Sequence, residues 1–116
     1  MSTAACLFCR IVRRELPATI VYEDAEVLAF RDVAPKAPVH CLIIPKRHVA
    51  GLQGLQDGEA GLMASLFACL MRVAREEGVS DAGYRAVVNA GSDGGQTVFH
   101  LHLHLLGGRQ MTWPPG

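Results

Sequence analysis

The segment from Val98 to Leu106 constrains the fold more than any other part of the chain. It reads Val-Phe-His-Leu-His-Leu-His-Leu-Leu, with histidines and apolar residues in alternation. Successive side chains of a β-strand point to opposite faces of its sheet. The pattern therefore predicts a strand over 98–106 with His100, His102 and His104 on one face. Phe99 and the intervening leucines lie on the other face and supply core.

The remaining segments predict an α+β fold in one domain spanning residues 1–116. An early helix, three strands, a long helix and two strands follow one another, at 4–15, 19–22, 27–31, 39–45, 57–77, 84–89 and 98–106. Consecutive strands favour an antiparallel sheet, and we expect both helices to pack on one of its faces. Asp57 and Gly78 suit the two caps of the long helix. Cys41 and Cys69 lie in apolar runs and are predicted core residues.

Charge and hydropathy exclude two classes of protein. Eleven Lys and Arg residues balance eleven Asp and Glu residues, whereas a general nucleic-acid binder would carry a basic excess. No run of 18 apolar residues exists, so no membrane-spanning helix is expected. The short apolar stretch near the amino terminus precedes arginines, the wrong order for a secretory signal. A cytoplasmic protein with reduced cysteines is the expectation.

The histidine row indicates chemistry, because a solvated sheet face normally mixes Thr, Lys, Glu and Ser. Imidazoles two residues apart on a strand can share a metal ion, and a neutral imidazole is also a good nucleophile toward phosphorus. The upstream segment Asn89–Thr97, Asn-Ala-Gly-Ser-Asp-Gly-Gly-Gln-Thr, favours phosphorus. Its glycines allow backbone N–H groups to approach an anion, and Ser92, Gln96 and Thr97 add donors.

These residues resemble the histidine triad (HIT) superfamily, whose signature is H-φ-H-φ-H-φ-φ with φ apolar. Further motifs are similar to its HINT branch of nucleotide-binding phosphoramidases: PATIVYED (17–24), an AP-x-AP-x-H pattern ending at His40, IIPKRH (43–48), VVN-x-GSDGGQ (87–96) and GGRQMTWPPG (107–116). The resemblance covers essentially the whole chain. It implies a five-stranded antiparallel sheet with two helices per subunit, and a homodimer that joins two sheets into one of ten strands.

The resemblance also implies a reaction, the hydrolysis of P–N bonds in conjugates of AMP with amines, and the binding of purine nucleoside monophosphates. By position His102 is the nucleophile, and a nucleotidyl-histidine intermediate is cleaved by water. His104 would hydrogen-bond a phosphate oxygen or pass a proton to the leaving group, and His40 would orient the triad. Thr97 supplies a hydroxyl to the leaving-group pocket where the family often has serine. No cofactor is required for this catalysis.

The same comparison implies a nucleotide site. Asn89, Gly95, Gln96 and Thr97 would hold the phosphate together with His104. Asp32 would accept from the ribose hydroxyls. The base pocket would be lined by Phe8, Ile11, Leu16, Phe30 and Val33, although from sequence alone most of these are simply core residues. Trp113, in the carboxyl-terminal tail, would lie near the nucleotide site of the neighbouring subunit.

A second site is suggested by Cys6 and Cys9, whose C-x-x-C spacing is that of a zinc knuckle. Some bacterial HIT proteins that resemble this chain carry such a pair with zinc. By position the remaining ligands would be His48 and His100, and the ion would be structural because a closed four-ligand site has no open position. The alternatives are an unmetallated helical pair and, less favoured, a redox C-x-x-C, which would need a βα context.

Two other functions stay open at the level of sequence. A nucleotide-binding adaptor or regulatory protein would keep the pocket but act through partners. A zinc enzyme would instead use His100, His102 and His104 together as metal ligands. Finding a nucleotidyl adduct on His102 would separate the hydrolase from the zinc enzyme.

Overall fold

A computed structural model describes residues 3–116; residues 1 and 2 of the predicted domain lie outside the described part. It contains two α-helices and five strands, and the predicted α+β fold is confirmed. The elements are α1 (Leu7–Val12), β1 (Ile20–Glu23), β2 (Val27–Arg31), β3 (Val39–Pro45), α2 (Ala60–Glu76), β4 (Tyr84–Val87) and β5 (Leu103–Gly107). No helix of residues 3–116 is long and apolar enough to cross a membrane.

The five strands form one antiparallel sheet in the order β1-β2-β3-β5-β4. The last strand in sequence, β5, therefore lies between β3 and β4. Its register with β3 pairs His104 with Leu42 and Leu106 with His40. This pairing places the final histidine of the triad beside a histidine that is more than sixty residues earlier in the chain.

The two helices pack on opposite faces of the sheet, so the prediction that both lie on one face is wrong. On one face α2 contributes Leu66, Leu70 and Val73 to a core that includes Ala29 and Ile43. On the other face, α1 packs against the alternate residues of the same strands: Leu28, Phe30, Leu42 and Ile44. A central sheet needs cover on both faces because β2 and β3 are apolar on both.

The final strand is shorter than predicted, because regular pairing begins only at Leu103. On the register of β3, the residues before Leu103 would continue opposite Ile44 and Pro45. Proline has no backbone N–H, so the ladder cannot continue there. Residues 98–102 are instead held in an irregular segment, where the backbone N–H of Leu101 donates to Val49 O at 2.7 Å. Phe99, a predicted core residue, is 40% exposed.

The ends of the long helix follow local capping rules. A 3₁₀ turn over Asp57–Glu59 precedes α2 and is capped by Gln56. The amino-terminal cap of α2 itself is Glu59 rather than the predicted Asp57. Gln56 and Glu59 form a capping box, in which the Gln56 N–H donates to Glu59 Oε1 at 3.1 Å. Gly78 follows the helix with φ +77°, as its predicted capping role requires.

Candidate active site

A cavity of about 430 Å³ opens on the α1 side of the sheet and contains two histidines of the triad. Much of its wall is apolar, and the polar groups in it are those of Asp32, Thr97, His102 and His104 together with Arg31. The volume and the mixture of surfaces are typical of a small-molecule site. Of the predicted base-pocket residues, all five line this cavity: Phe8, Ile11, Leu16, Phe30 and Val33.

The three histidines of the triad share the α1 side of the chain, as the alternation predicts, although only His104 belongs to a regular strand. The rings of His102 and His104 have centroids 5.0 Å apart. Phe8 of α1 packs edge-on against His102, with centroids 5.2 Å apart, and against His100. Leu101 and its neighbouring leucines are buried in the core on the opposite face.

The tautomer of His102 follows from its hydrogen bond to the backbone. Its Nδ1 lies 2.7 Å from the carbonyl oxygen of His100. A carbonyl oxygen only accepts, so Nδ1 must carry a proton and donate it. In the neutral ring Nε2 then holds a free lone pair. A nitrogen of this kind can act as a nucleophile, and His102 lines the cavity.

His40 and His104 form a relay, a chain of two hydrogen bonds that begins at the backbone N–H of Lys36 and ends at His104. The N–H of Lys36 donates to His40 Nδ1 at 3.0 Å. Burial lowers the pKa of His40, so its ring is neutral and its proton is on Nε2. That Nε2 lies 2.9 Å from His104 Nδ1 and donates to it. Burial, followed by the charges of His102 and His40, lowers the pKa of His104 to about 4. His104 is therefore neutral near pH 7, and its remaining N–H, on Nε2, is a donor for the cavity.

Asp32 completes this group, since its Oδ2 lies 3.4 Å from His40 Nε2 while its Oδ1 accepts from the N–H of Ala34 at 2.8 Å. Asp32, His40 and His104 lie close enough together to suggest a metal site. The relay argues against one, because His40 Nε2 carries a proton and has no lone pair for an ion. Among residues 3–116, neither cluster with metal-binding geometry includes His102. The arrangement therefore favours a free His102 over a zinc ion held jointly by His100, His102 and His104.

The glycine-rich segment forms the predicted turn, but two of its predicted phosphate donors have partners within the loop. The N–H of Gly95 donates to Ser92 O at 3.0 Å, and the N–H of Gln96 donates to Gly91 O at 3.0 Å. Gly95 has φ +81°, a conformation that favours glycine. The buried side-chain amide of Gln96 donates to Ala50 O at 2.8 Å and to Val98 O at 3.1 Å. Both residues shape the loop instead of presenting free donors.

The remaining predicted residues are placed differently. Thr97 is exposed and lines the cavity. Asn89 is half-buried, two residues after β4, and is not among the lining residues. Trp113 is 81% exposed and lies outside the cavity of its own chain. The Arg85 guanidinium holds this part of the tail, donating to Thr112 O at 2.8 Å and lying 6.0 Å from the centre of the Trp113 ring.

The C-x-x-C pair forms a second cluster behind the triad. One ligand atom from each of Cys6, Cys9, His48 and His100 lies within 4.8 Å of the others; we call this set the tetrad. The Nδ1 atom of His100 is 3.3 Å from Cys6 Sγ, and the Nδ1 atom of His48 is 3.3 Å from Cys9 Sγ. These four residues are the set that the sequence resemblance implies.

The tetrad fits a zinc ion in both its donors and its surroundings. Two thiols and two imidazoles are a usual donor set for structural zinc. His100 Nε2 donates to Pro45 O at 2.8 Å, which leaves Nδ1 without a proton and facing the thiols. Burial lowers the pKa of His100 to about 4, so its ring is neutral. Burial and a hydrogen bond with Cys6 raise the pKa of Cys9 to about 11, so the thiolate form is unfavourable in the metal-free tetrad. A bound cation would stabilise that thiolate.

Comparison with known proteins identifies the family. The model of the HIT domain matches residues 13–111. This chain is a member of the HIT domain family. A HIT family hydrolase from Legionella pneumophila has 55% sequence identity and a TM-score of 0.94, and the alignment covers 96% of this chain and 99% of that one. The fold and the histidine motif are therefore those of a HIT protein.

Two further proteins that are similar to this chain have zinc in their names. A 14 kDa zinc-binding protein of Zea mays is 49% identical over 112 residues, which is 95% of this chain and 87% of the relative. A Zn-bound histidine triad family protein from Mycobacterium smegmatis has 34% identity and a TM-score of 0.77, with 93% of this chain and 78% of that chain covered. Zinc is thus named for two proteins that are similar to this chain.

Sequence reasoning missed several parts of the HIT site. Leu7, Leu42 and Val98 line the cavity but were not among the predicted residues. Alternation along β3 could have identified Leu42, because it is two residues from His40 and therefore lies on the same face. No sequence signal indicates the Lys36 N–H donor or the contact between Asp32 and His40, since both depend on how the loop 32–38 folds back.

Proposed function

We propose that this HIT protein is a purine nucleoside phosphoramidase of the HINT type, which hydrolyses the P–N bond of AMP–amine conjugates. The observation that carries the proposal is the tautomer of His102: its Nδ1 proton is held by a backbone carbonyl, which leaves a lone pair on Nε2 of a residue that lines the cavity. The family membership and the hydrolase relative support a hydrolytic reaction.

In the first step, His102 Nε2 attacks the α-phosphorus as the P–N bond to the amine breaks. The amine leaves with a proton taken from solvent, and an Nε2–P bond forms. The ring gains positive charge in this step, and its Nδ1–H remains bonded to the His100 carbonyl, which stabilises that charge. In the second step water attacks phosphorus as the Nε2–P bond breaks, and AMP is released. The proton lost by the water returns to solvent, and Nε2 regains its lone pair.

His104 stabilises the negative charge on phosphate through its Nε2–H. Because its pKa is lowered to about 4, the neutral ring is a hydrogen-bond donor near pH 7 and does not act as an acid. His40 sets this arrangement, since it occupies His104 Nδ1. Of the two roles that the resemblance allows for His104, we therefore assign hydrogen bonding. Thr97, and Asn89 after a small movement of the loop, would supply further donors.

The base and ribose would occupy the rest of the cavity. Phe8 and Phe30 pack edge-to-face, with centroids 5.4 Å apart, and provide a rigid apolar wall with Ile11, Leu16 and Val33. Asp32 Oδ2 is a free acceptor apart from its contact with His40, and we assign it to the ribose hydroxyls. Catalysis needs no cofactor in this scheme.

The tetrad would hold a structural zinc ion. Its closed donor set has no open position for substrate, so we assign it to stability. Thiol ligands require a reducing compartment, and we expect the cytoplasm.

Trapping the intermediate tests the proposed activity. The protein is mixed with an AMP–lysine conjugate and quenched in alkaline denaturant, because P–N bonds are labile in acid. Mass spectrometry should find one adenylyl group on the peptide containing His102. A His104→Ala variant retains the nucleophile and should still form the adduct, more slowly. Turnover without an adduct, or an adduct on another residue, would contradict the assigned mechanism.

An adaptor function is the second candidate, because Trp113 is 81% exposed and offers apolar surface to a partner. An adaptor function predicts that the protein binds AMP tightly and hydrolyses AMP–amine conjugates only slowly. The same incubation, followed by measurement of released amine, distinguishes the two functions.

We further propose a homodimer in which the tail contributes to the partner's site. Strand β4 is at the edge of the sheet, next to residues Arg109–Met111 of the tail, and an unpaired edge can extend a sheet across a two-fold axis. The tail also exposes Trp113, an apolar side chain that an interface would cover.

Deleting residues 111–116 should change substrate preference more than stability, because the tail lies outside the sheet. Sedimentation of the intact protein should give twice the chain mass of 12.5 kDa. Relative kcat/KM across several amine leaving groups measures the preference, and Trp113→Ala separates the effect of the ring from that of tail length. A monomer at micromolar concentration, or unchanged relative kcat/KM after truncation, would be contrary to this arrangement.

A further inference from the structure

His100 takes part in the tetrad and in the active site at the same time. Its Nδ1 faces Cys6 and Cys9, at 3.3 and 3.6 Å from their sulfur atoms. Its own backbone carbonyl accepts the Nδ1 proton of His102 at 2.7 Å. One residue therefore connects the thiol cluster to the tautomer of the nucleophile.

The segment that carries His102 is largely buried but is not held by strand pairing. Residues 98–102 lie outside the β5 ladder. Three hydrogen bonds join this segment and the loop before it to the segment 45–50, which also carries His48, and all three end on carbonyls of that segment. They are His100 Nε2 to Pro45 O, Leu101 N to Val49 O and Gln96 Nε2 to Ala50 O. Through His48 and His100 the tetrad joins these two segments, and through Cys6 and Cys9 it joins both to α1.

We infer that His100 is a positioning residue for His102, and that a metal ion held by the tetrad fixes the His100 carbonyl that selects the His102 tautomer. The inference rests on the proposed function for its kinetic consequence but not for its structural one. If the carbonyl moves away, either ring nitrogen of His102 can carry the proton, and a protonated Nε2 has no lone pair for phosphorus. Loss of the ion then lowers the rate of chemistry and leaves nucleotide binding intact.

The direct test compares the full chain loaded with Zn²⁺ and the same protein stripped by a chelator, with metal content checked by elemental analysis. In ¹⁵N-histidine NMR at a fixed pH near 7.5, the loaded protein should show His102 with a proton on Nδ1 and a bare Nε2. The stripped protein should show exchange-averaged ring nitrogens for His102. Adding back Zn²⁺ or Cd²⁺ should restore the single tautomer.

Amide hydrogen exchange separates this role from a general loss of stability. The Leu101 N–H bonds to Val49 across the two segments, whereas Ile43 lies in β3 between two paired strands. On stripping, exchange at Ile43 should accelerate only by the factor that the lower global stability sets, and exchange at Leu101 should accelerate about tenfold or more beyond that factor. If the two accelerate equally, the comparison is repeated with His48→Gln, which keeps three ligands, and with Cys69→Ala as the matched buried-cysteine control in the other core.

Kinetics supply the third readout. On stripping, kcat for an AMP–amine conjugate should fall about tenfold or more while the dissociation constant for AMP changes little. An unchanged His102 tautomer, equal acceleration at Leu101 and Ile43 in every variant, or failure to bind metal would each overturn the inference. If His102 responds to metal but the loaded protein turns over no conjugate, the proposed function fails and the structural coupling stands.

Discussion

Replacing His102 with alanine should abolish turnover of AMP–amine conjugates while nucleotide binding survives. The variant lacks the nitrogen that bonds to phosphorus, so we expect kcat to fall by about 10⁴-fold or more. Binding of AMP depends mainly on the apolar wall and on donors that remain, because only the transition state needs the nucleophile. Single-turnover kinetics and calorimetry with AMP measure the two effects separately.

The matched control for this variant is Phe67→Ala, which also removes a ring but lies 40% exposed on α2, on the opposite side of the sheet. It should retain the parent kcat. Substantial phosphoramidase activity in His102→Ala would refute the role of His102 as nucleophile. Loss of AMP binding in the same variant would instead indicate that His102 holds the ground-state nucleotide.

Removing a ligand of the tetrad should be the most destabilising change in the chain. Structural zinc sites contribute on the order of 10 kcal/mol of binding free energy at neutral pH, part of which appears as folding stability. We expect about one zinc per chain, and a fall in Tm of more than about 10 °C in Cys6→Ala. Elemental analysis and thermal unfolding, each with and without chelator, measure both quantities.

Cys69→Ala is the control for the cost of losing a buried thiol, since Cys69 is only 4% exposed in the α2 core. It should lower Tm by a few degrees. Chelator should lower the Tm of the parent and of Cys69→Ala but not that of Cys6→Ala, because only a protein that binds the ion loses stability with it. Metal-free protein prepared without chelator, together with no response to chelator, would exclude zinc from the tetrad.

Much of the fold could be predicted from the sequence because its signals are local. Strands β2 and β3 begin and end where turn residues and Pro45 predict. The helical spacing of leucines identifies α2 to within a turn at its amino end. The prediction that both helices pack on one face of the sheet is wrong, although the sequence contains a signal for the correct arrangement. Residues 41–45 are apolar on both faces of their strand, and such a strand must be covered on both faces.

The candidate site was only partly predictable, for a different physical reason. Alternation brings His100, His102 and His104 to one side, and this grouping survives even where the ladder stops. The direction in which each ring donates its proton depends on backbone groups from distant segments, such as Lys36 N–H and Pro45 O. Backbone groups are the same for nearly all residue types, so the sequence does not indicate which of them a histidine contacts. The relay and the link through His100 could therefore be identified only from the structure.

The use of main-chain atoms to set the histidine tautomers has a consequence for how this protein can evolve. The groups that fix His40, His100 and His102 are the N–H of Lys36, the carbonyl of Pro45 and the carbonyl of His100. Nearly every amino acid supplies the same N–H and carbonyl, so drift in side chains at position 36 leaves the proton pattern unchanged, with proline as the exception. The surface around the cavity is thus free to diversify toward new ligands without disturbing the positions of the protons on these histidines.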